Sequence, residues 1–160
     1  MRENAEGSNC YTLRMEKYRL VLASDRAKGI QQEMRRHIQD TQEFTVFQSP
    51  LSIAAVRTQI IPHSPQILLV SAEVVNSEQV NELRGFIGKV RKHMKHLPSS
   101  EIVFHTLPLG DRDINTLFTA GGDIWIDERL AYELMSNVLV RRIRGEQFYN
   151  PGVKIKPKVK

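Results

Sequence analysis

Five times along the chain a short apolar run is followed by residues with helical spacing, and that alternation constrains the fold more than any other feature. The first run is Tyr18-Arg19-Leu20-Val21-Leu22-Ala23. Ser24 or Asp25 can then cap a helix carrying Ala27, Ile30, Met34 and Ile38 on one face. The second run is Glu43-Phe44-Thr45-Val46-Phe47. Ser49 followed by Pro50 reads as N-cap and first helical position, ahead of Ile53, Val56 and Ile60. The third, Gln66-Ile67-Leu68-Leu69-Val70, is continuously apolar, as a strand covered on both faces must be.

Asn76 or Ser77 opens the longest helical pattern, whose Val80, Leu83, Ile87, Val90 and Met94 alternate steps of three and four, with Pro98 as its stop. The fourth run is Glu101-Ile102-Val103-Phe104-His105-Thr106. Asp111 then caps a short helix with Ile114, Leu117 and Phe118, and Gly121-Gly122 closes it. Asp123-Ile124-Trp125-Ile126 is the fifth run, and the last helix is expected to start near Asp127 and to bury Leu130, Leu134, Val138 and Ile143. Strand alternating with helix five times predicts a doubly wound, five-stranded parallel sheet in a three-layer α/β/α (βα)5 architecture. Function in such sheets collects at the carboxyl ends of the strands. That places the interest at Ser24-Asp25, Gln48, Ser71, Thr106 and Asp127-Glu128.

Charge and cysteine content narrow the function classes. The 160 residues suit one domain, and their net charge is +5 with a pI near 9.5. Lys154, Lys156, Lys158 and Lys160 carry most of that excess, so without this tail the body is close to neutral. The lone Cys10 fits a reducing compartment, and Met1 to Gly7 lack the apolar core of a signal peptide. With no apolar run of bilayer length, the expectation is a cytoplasmic protein without membrane contact. The sequence contains no Walker loop, dinucleotide glycine fingerprint, zinc constellation or nucleophile elbow, so no enzyme activity, cofactor or metal is expected.

In order and register the motifs resemble the receivers of bacterial response regulators, a flavodoxin-like fold. Pro65-Gln66-Ile67-Leu68-Leu69-Val70-Ser71 is similar to the family's third strand, and Ala120-Gly121-Gly122-Asp123-Ile124-Trp125-Ile126 to the turn into its fifth. The steps from Thr106 to Trp125 and to Glu128 match those from switch threonine to switch aromatic to essential lysine. Arg144 to Pro151 looks like the segment joining a LuxR-type receiver to its DNA-binding domain. The resemblance divides the chain into an N-terminal tail (1–16), a receiver-like domain (17–145) and a linker-like basic tail (146–160). It also makes the third helix and the loop after it longer than usual.

The chemistry departs from that pattern. The resemblance puts Ser24 and Asp25 at the paired acids, Ser71 at the phosphoacceptor aspartate and Glu128 at the lysine, leaving Asp25 and Thr106 as the retained residues. A serine hydroxyl is a poor Mg²⁺ ligand and needs a base to become a nucleophile. Glutamate at the lysine position opposes the charge of a transferring phosphoryl group, by several kcal/mol at ~4–6 Å and intermediate dielectric. Ser24, Asp25, Ser71, Thr106 and Glu128 therefore form a degenerate pocket, with Ser71 and Thr106 expected to bond each other or water.

The resemblance then implies a pseudo-receiver that signals through protein contacts, a homodimer seam among them, on the face of helix four, strand five and helix five, where Trp125, Arg129, Tyr132, Glu133 and Arg141 are the candidates. Trp125 is either a rotor on that face or a residue filling the sheet edge. His93 and His96 sit among cations that complement a helix C-terminus better than they would hold a metal. His105 reads as a hydrogen-bonded core histidine, and Glu73 as a solvated loop acid. Arg141, Arg142, Arg144 and the lysine tail allow weak, sequence-indifferent contact with nucleic acid, or strand addition of the tail to a partner. Two alternatives remain open: the receiver portion of a LuxR-type DNA-binding regulator, and a flavodoxin-like protein that binds a small ligand or cofactor.

Overall fold

The computed structural model describes residues 16–157. The elements follow in the order β1 (Tyr18–Ser24), α1 (Lys28–Asp40), β2 (Phe44–Pro50), α2 (Ile53–His63), β3 (Ile67–Ser71) and α3 (Ser77–His93). They continue with β4 (Glu101–Thr106), α4 (Asp111–Ala120), β5 (Ile124–Asp127), α5 (Tyr132–Ile143) and β6 (Val153–Ile155). The sheet order is β2-β1-β3-β4-β5-β6. The first five strands run parallel, as the alternation predicts, and the order reverses direction between β1 and β3.

Strand alternation builds a core on each face of the sheet. Val21, Ala23, Leu68, Val70, Ile102, Phe104 and Trp125 point toward α2, α3 and α4, where Val56, Leu83, Ile87 and Leu117 meet them. Leu20, Leu22, Ile67, Leu69, Val103, Ile124 and Ile126 point the other way, against Met34 and Ile38 of α1 and Met135 and Leu139 of α5. All five residues of β3 are buried, in keeping with their unbroken apolar run. Each such aliphatic side chain contributes about 1.5–3 kcal/mol of burial free energy.

Several local expectations are corrected. Residues 153–155, taken from sequence as part of a linker-like tail, form a sixth strand that pairs antiparallel with β5, so the segment adds to this chain's own sheet rather than to a partner's. Pro50 ends β2, and the cap of α2 is Ser52, whose hydroxyl accepts from the Ala55 amide at 3.2 Å. Ala27 precedes α1 without a side-chain cap, because the Ser24 hydroxyl is used by the Arg26 amide. Gly110, not Asp111, is the N-cap of α4, and α3 stops at His93, ahead of Pro98. Because α5 begins at Tyr132, its buried stripe is Met135, Val138 and Leu139, and Leu134 is exposed; Ile30 is exposed too.

Asn76 caps α3 as expected, accepting from the Gln79 amide at 2.9 Å. Gly121 ends α4 at φ 132°, a conformation open mainly to glycine. At Gly122 the requirement is space: a Cβ there would lie 2.6 Å from the Phe104 ring.

Candidate regulatory site at the carboxyl edge of the sheet

Parallel register brings the ends of the inner strands level. Ser24 stands beside Ser71, Ser71 beside His105, and Thr106 beside Asp127. Ser24, Ser71, His105 and Thr106 are all buried, while Asp25 is exposed. The Asp25 carboxylate accepts from the Glu73 amide at 3.4 Å.

Ser71 and Thr106 do not bond each other, which corrects that part of the sequence expectation. They fall on opposite faces of the sheet, Ser71 continuing the Ile67–Leu69 face and Thr106 the Ile102–Phe104 face. The Ser71 hydroxyl instead meets His105 Nδ1 at 2.9 Å. The Thr106 hydroxyl donates to the Leu107 carbonyl at 2.7 Å and accepts from Trp125 Nε1 at 3.0 Å.

His105 is the core histidine that the sequence indicates. Burial, reinforced by the Arg26 cation and opposed by Asp127, lowers its pKa to about 4, so the ring is neutral at pH 7. Its Nε2 has no hydrogen-bond partner among the described residues.

Arg26 changes the charge balance at this edge. Its guanidinium pairs with Glu128 and donates to the Ala72 carbonyl at 2.7 Å, with only 7% of the side chain exposed. Its backbone is held by Gln31 Nε2, which donates to the Arg26 carbonyl at 2.7 Å. Glu128 is anchored in turn, its amide donating to the Thr106 carbonyl at 2.8 Å. Glu128 is therefore not an uncompensated anion: its charge is met by a residue 102 positions earlier in the chain. Sequence reading passed over Arg26 because the resemblance directs attention to Ser24 and Asp25 just before it. The available signal was an arginine two residues after the end of β1, next to Asp25.

The five residues expected on one contact face do not share it. Trp125 is 4% exposed and lies in the core under α3 and α4, so it fills the sheet and presents nothing to a partner. Tyr132 turns toward α1, its ring 5.3 Å from that of His37, and the Glu133 carboxylate also approaches His37 at 3.9 Å. Arg129 is exposed but holds Asp127 at 2.9 Å, and this hydrogen bond lowers the Asp127 pKa. Arg141 is exposed and donates to the Gln147 carbonyl at 3.3 Å. Between them, β6 lies along the β5 edge, with the Lys154 ammonium 3.9 Å from Asp111 of α4.

Beside the switch in strand order, a cavity of about 590 Å³ opens between the β1 and β3 ends and helices α2 and α3. Asp25, Leu51, Glu73, Phe86 and Lys89 are among its lining. No group of three or more His, Cys, Asp or Glu converges as metal ligands among the described residues. None of the described helices is long and apolar enough to cross a membrane.

No protein-family model matches the chain. No curated protein matches it either. Solved structures do. The receiver domain of the putative response regulator NarL from Mycobacterium tuberculosis aligns over 82% of this chain and 99% of its own, with a TM-score of 0.65 and 13% identity. The fold is that of response-regulator receivers. A LuxR-family two-component response regulator from Aurantimonas sp. SI85-9A1 aligns over 85% of this chain and 91% of its own, with a TM-score of 0.65 and 14% identity. A putative pilus assembly-related protein from Burkholderia pseudomallei shares this receiver fold over 89% of the chain and all of its own, at TM-score 0.62 and 15% identity.

Proposed function

We propose that this receiver-like domain is a phosphorylation-independent regulatory module of the cytoplasm that acts through protein–protein contacts in transcriptional control, without enzymatic activity. The observation that carries the reading is the Arg26–Glu128 pair at the carboxyl edge of the sheet. In a phosphorylating receiver that edge must present a carboxylate nucleophile, acidic ligands for a divalent ion and an uncommitted cation. Here the cation is already neutralised by Glu128, Ser71 is buried against a neutral His105, and Asp25 is the one carboxylate left at the end of β1. A covalent dianion would find little to stabilise it.

Beryllium fluoride with Mg²⁺, or acetyl phosphate with Mg²⁺, tests this directly. The amide spectrum should stay unchanged. Saturable shifts centred on Asp25, Ser71 and Glu128 would sink the reading.

A second reading, the receiver portion of a LuxR-type DNA-binding regulator, is favoured by the likeness to the LuxR-family structure. Under it, basic residues such as Arg144 and the lysine tail stand near a DNA-binding domain that reads the sequence. Sequencing the natural gene beyond Lys160 separates the two: an open reading frame encoding a helix-turn-helix supports the second.

A further inference from the structure

We propose that the groove between α3 and α4 is a docking site for an acidic segment of a partner protein. The groove encloses about 760 Å³. Its floor is Gly85, Gly88 and Ala120, and Arg84, Lys89 and Lys92 rise along its rim. From Leu83 to Ser100 the chain has no acidic residue, and from Ile114 to Gly122 it has none either, so the stretches of α3 and α4 that line the groove carry no carboxylate, although Glu78, Glu82, Asp111 and Asp113 lie earlier on the two helices. Arg84, Lys89 and Lys92 take part in no ion pair among the described residues. Arg91, in contrast, is spent inside the fold on Asp123 and on the carbonyls of Gly121 and Ser100.

Complementing the helix dipole accounts for Lys92 and His93 in the last turn of α3. It does not account for Arg84, two turns earlier, because the dipole's effect fades within the final turn. Packing does not account for Gly85. A Cβ there would meet nothing within 4 Å, so the glycine leaves room above the helix that no part of the chain fills. Interior helical glycine costs about 1 kcal/mol relative to alanine, and α3 carries two. A floor kept low under a cationic rim suits an extended segment whose small side chains enter the trench while carboxylates reach Arg84, Lys89 and Lys92.

Charge complementarity alone would also admit nucleic acid. The rim from Arg84 to Lys92 spans eight residue steps, or ~12 Å of helix, and a rigid duplex resting on it would leave the recessed floor empty. The groove also remains accessible while β6 occupies the β5 edge. The proposal rests on the reading of the domain as a protein-contact module and names the partner's chemistry.

The test is fluorescence anisotropy with a labelled peptide of alternating glutamate and alanine, beside its glutamine counterpart and a random-sequence DNA duplex. The full chain should bind the acidic peptide saturably at low salt and the glutamine peptide negligibly. Joint Arg84→Glu, Lys89→Glu and Lys92→Glu substitution should weaken binding by roughly tenfold or more. Lys28→Glu with Arg36→Glu on α1 should leave it within about twofold. Gly85→Leu, which keeps every charge and raises helix propensity, should also weaken it by filling the floor. Absence of saturable binding, equal losses in the α1 control, indifference to Gly85→Leu, or tighter binding of the duplex through the same residues would each overturn the assignment. Spectral shifts with beryllium fluoride and Mg²⁺ at Asp25 and Ser71 would instead overturn the proposed function, leaving the groove result standing.

Discussion

The indole of Trp125 donates to the hydroxyl of Thr106 at 3.0 Å, and both side chains are buried. The two positions that resemble a receiver's switch threonine and switch aromatic are therefore tied to each other in the core. Thr106→Val keeps the shape but removes the acceptor, leaving a buried N–H without a partner. The expected cost is about 1–3 kcal/mol. Trp125 is the single tryptophan, so its emission reports the result during urea unfolding. An unchanged midpoint would show that the bond contributes nothing.

Arg26 and Glu128 call for a double-mutant cycle. Arg26→Met strips the partner from a Glu128 whose side chain is 22% exposed and also frees the Ala72 carbonyl. A fully buried pair broken this way costs ~3–5 kcal/mol; with water reaching Glu128, about 2 kcal/mol is expected. Glu128→Gln should cost less, since the amide still accepts. A coupling near zero in the cycle would show that the two charges act independently.

His105 gives a pH dependence with a defined sign. Its pKa is about 4 in the folded chain against 6.5 when unfolded, so the unfolded state binds the proton first. The neutral ring's contribution is complete above pH 6.5 and is lost as pH falls toward 4, amounting to about 3 kcal/mol. Carboxylates also weaken the fold in acid, so the comparison is a difference between proteins. Replacing Ser71→Ala and His105→Leu together removes both partners of one hydrogen bond. The doubly substituted protein should lose less stability between pH 6.5 and 4 than the natural one. Parallel curves would place the ring's protonation elsewhere.

The fold was legible because each of the five β–α units carries its own periodic signal. The unbroken run at Ile67–Val70 and the stripe from Val80 to Val90 needed no tertiary knowledge. Helix starts were less legible, since a serine such as Ser24 or Ser49 can satisfy a neighbouring backbone group without capping anything. The site was legible in position but not in charge. Which strand ends converge follows from parallel topology, whereas Arg26 reaching Glu128 depends on a long side chain crossing the mouth of the sheet. The facing of Tyr132 was illegible for a related reason. Facing is set by the register of α5, which starts at Tyr132 and turns that residue toward His37.

Strand β6 yields the last prediction. The Asp127 amide donates to the Gly152 carbonyl at 2.8 Å and the Lys156 amide to the Asp123 carbonyl at 2.9 Å, so the β5 edge is satisfied by the chain itself. Half-buried Phe148 and Val153 pack on the same side as α5. Removing residues 146–160 should expose a short apolar edge, Ile124-Trp125-Ile126, whose backbone groups then seek partners in other copies. Concentration-dependent self-association by light scattering is expected, together with a lower unfolding midpoint. A truncated protein that self-associates no more than the full chain and is equally stable would mean that the domain is complete at Gly145 and that β6 rests on it without holding it.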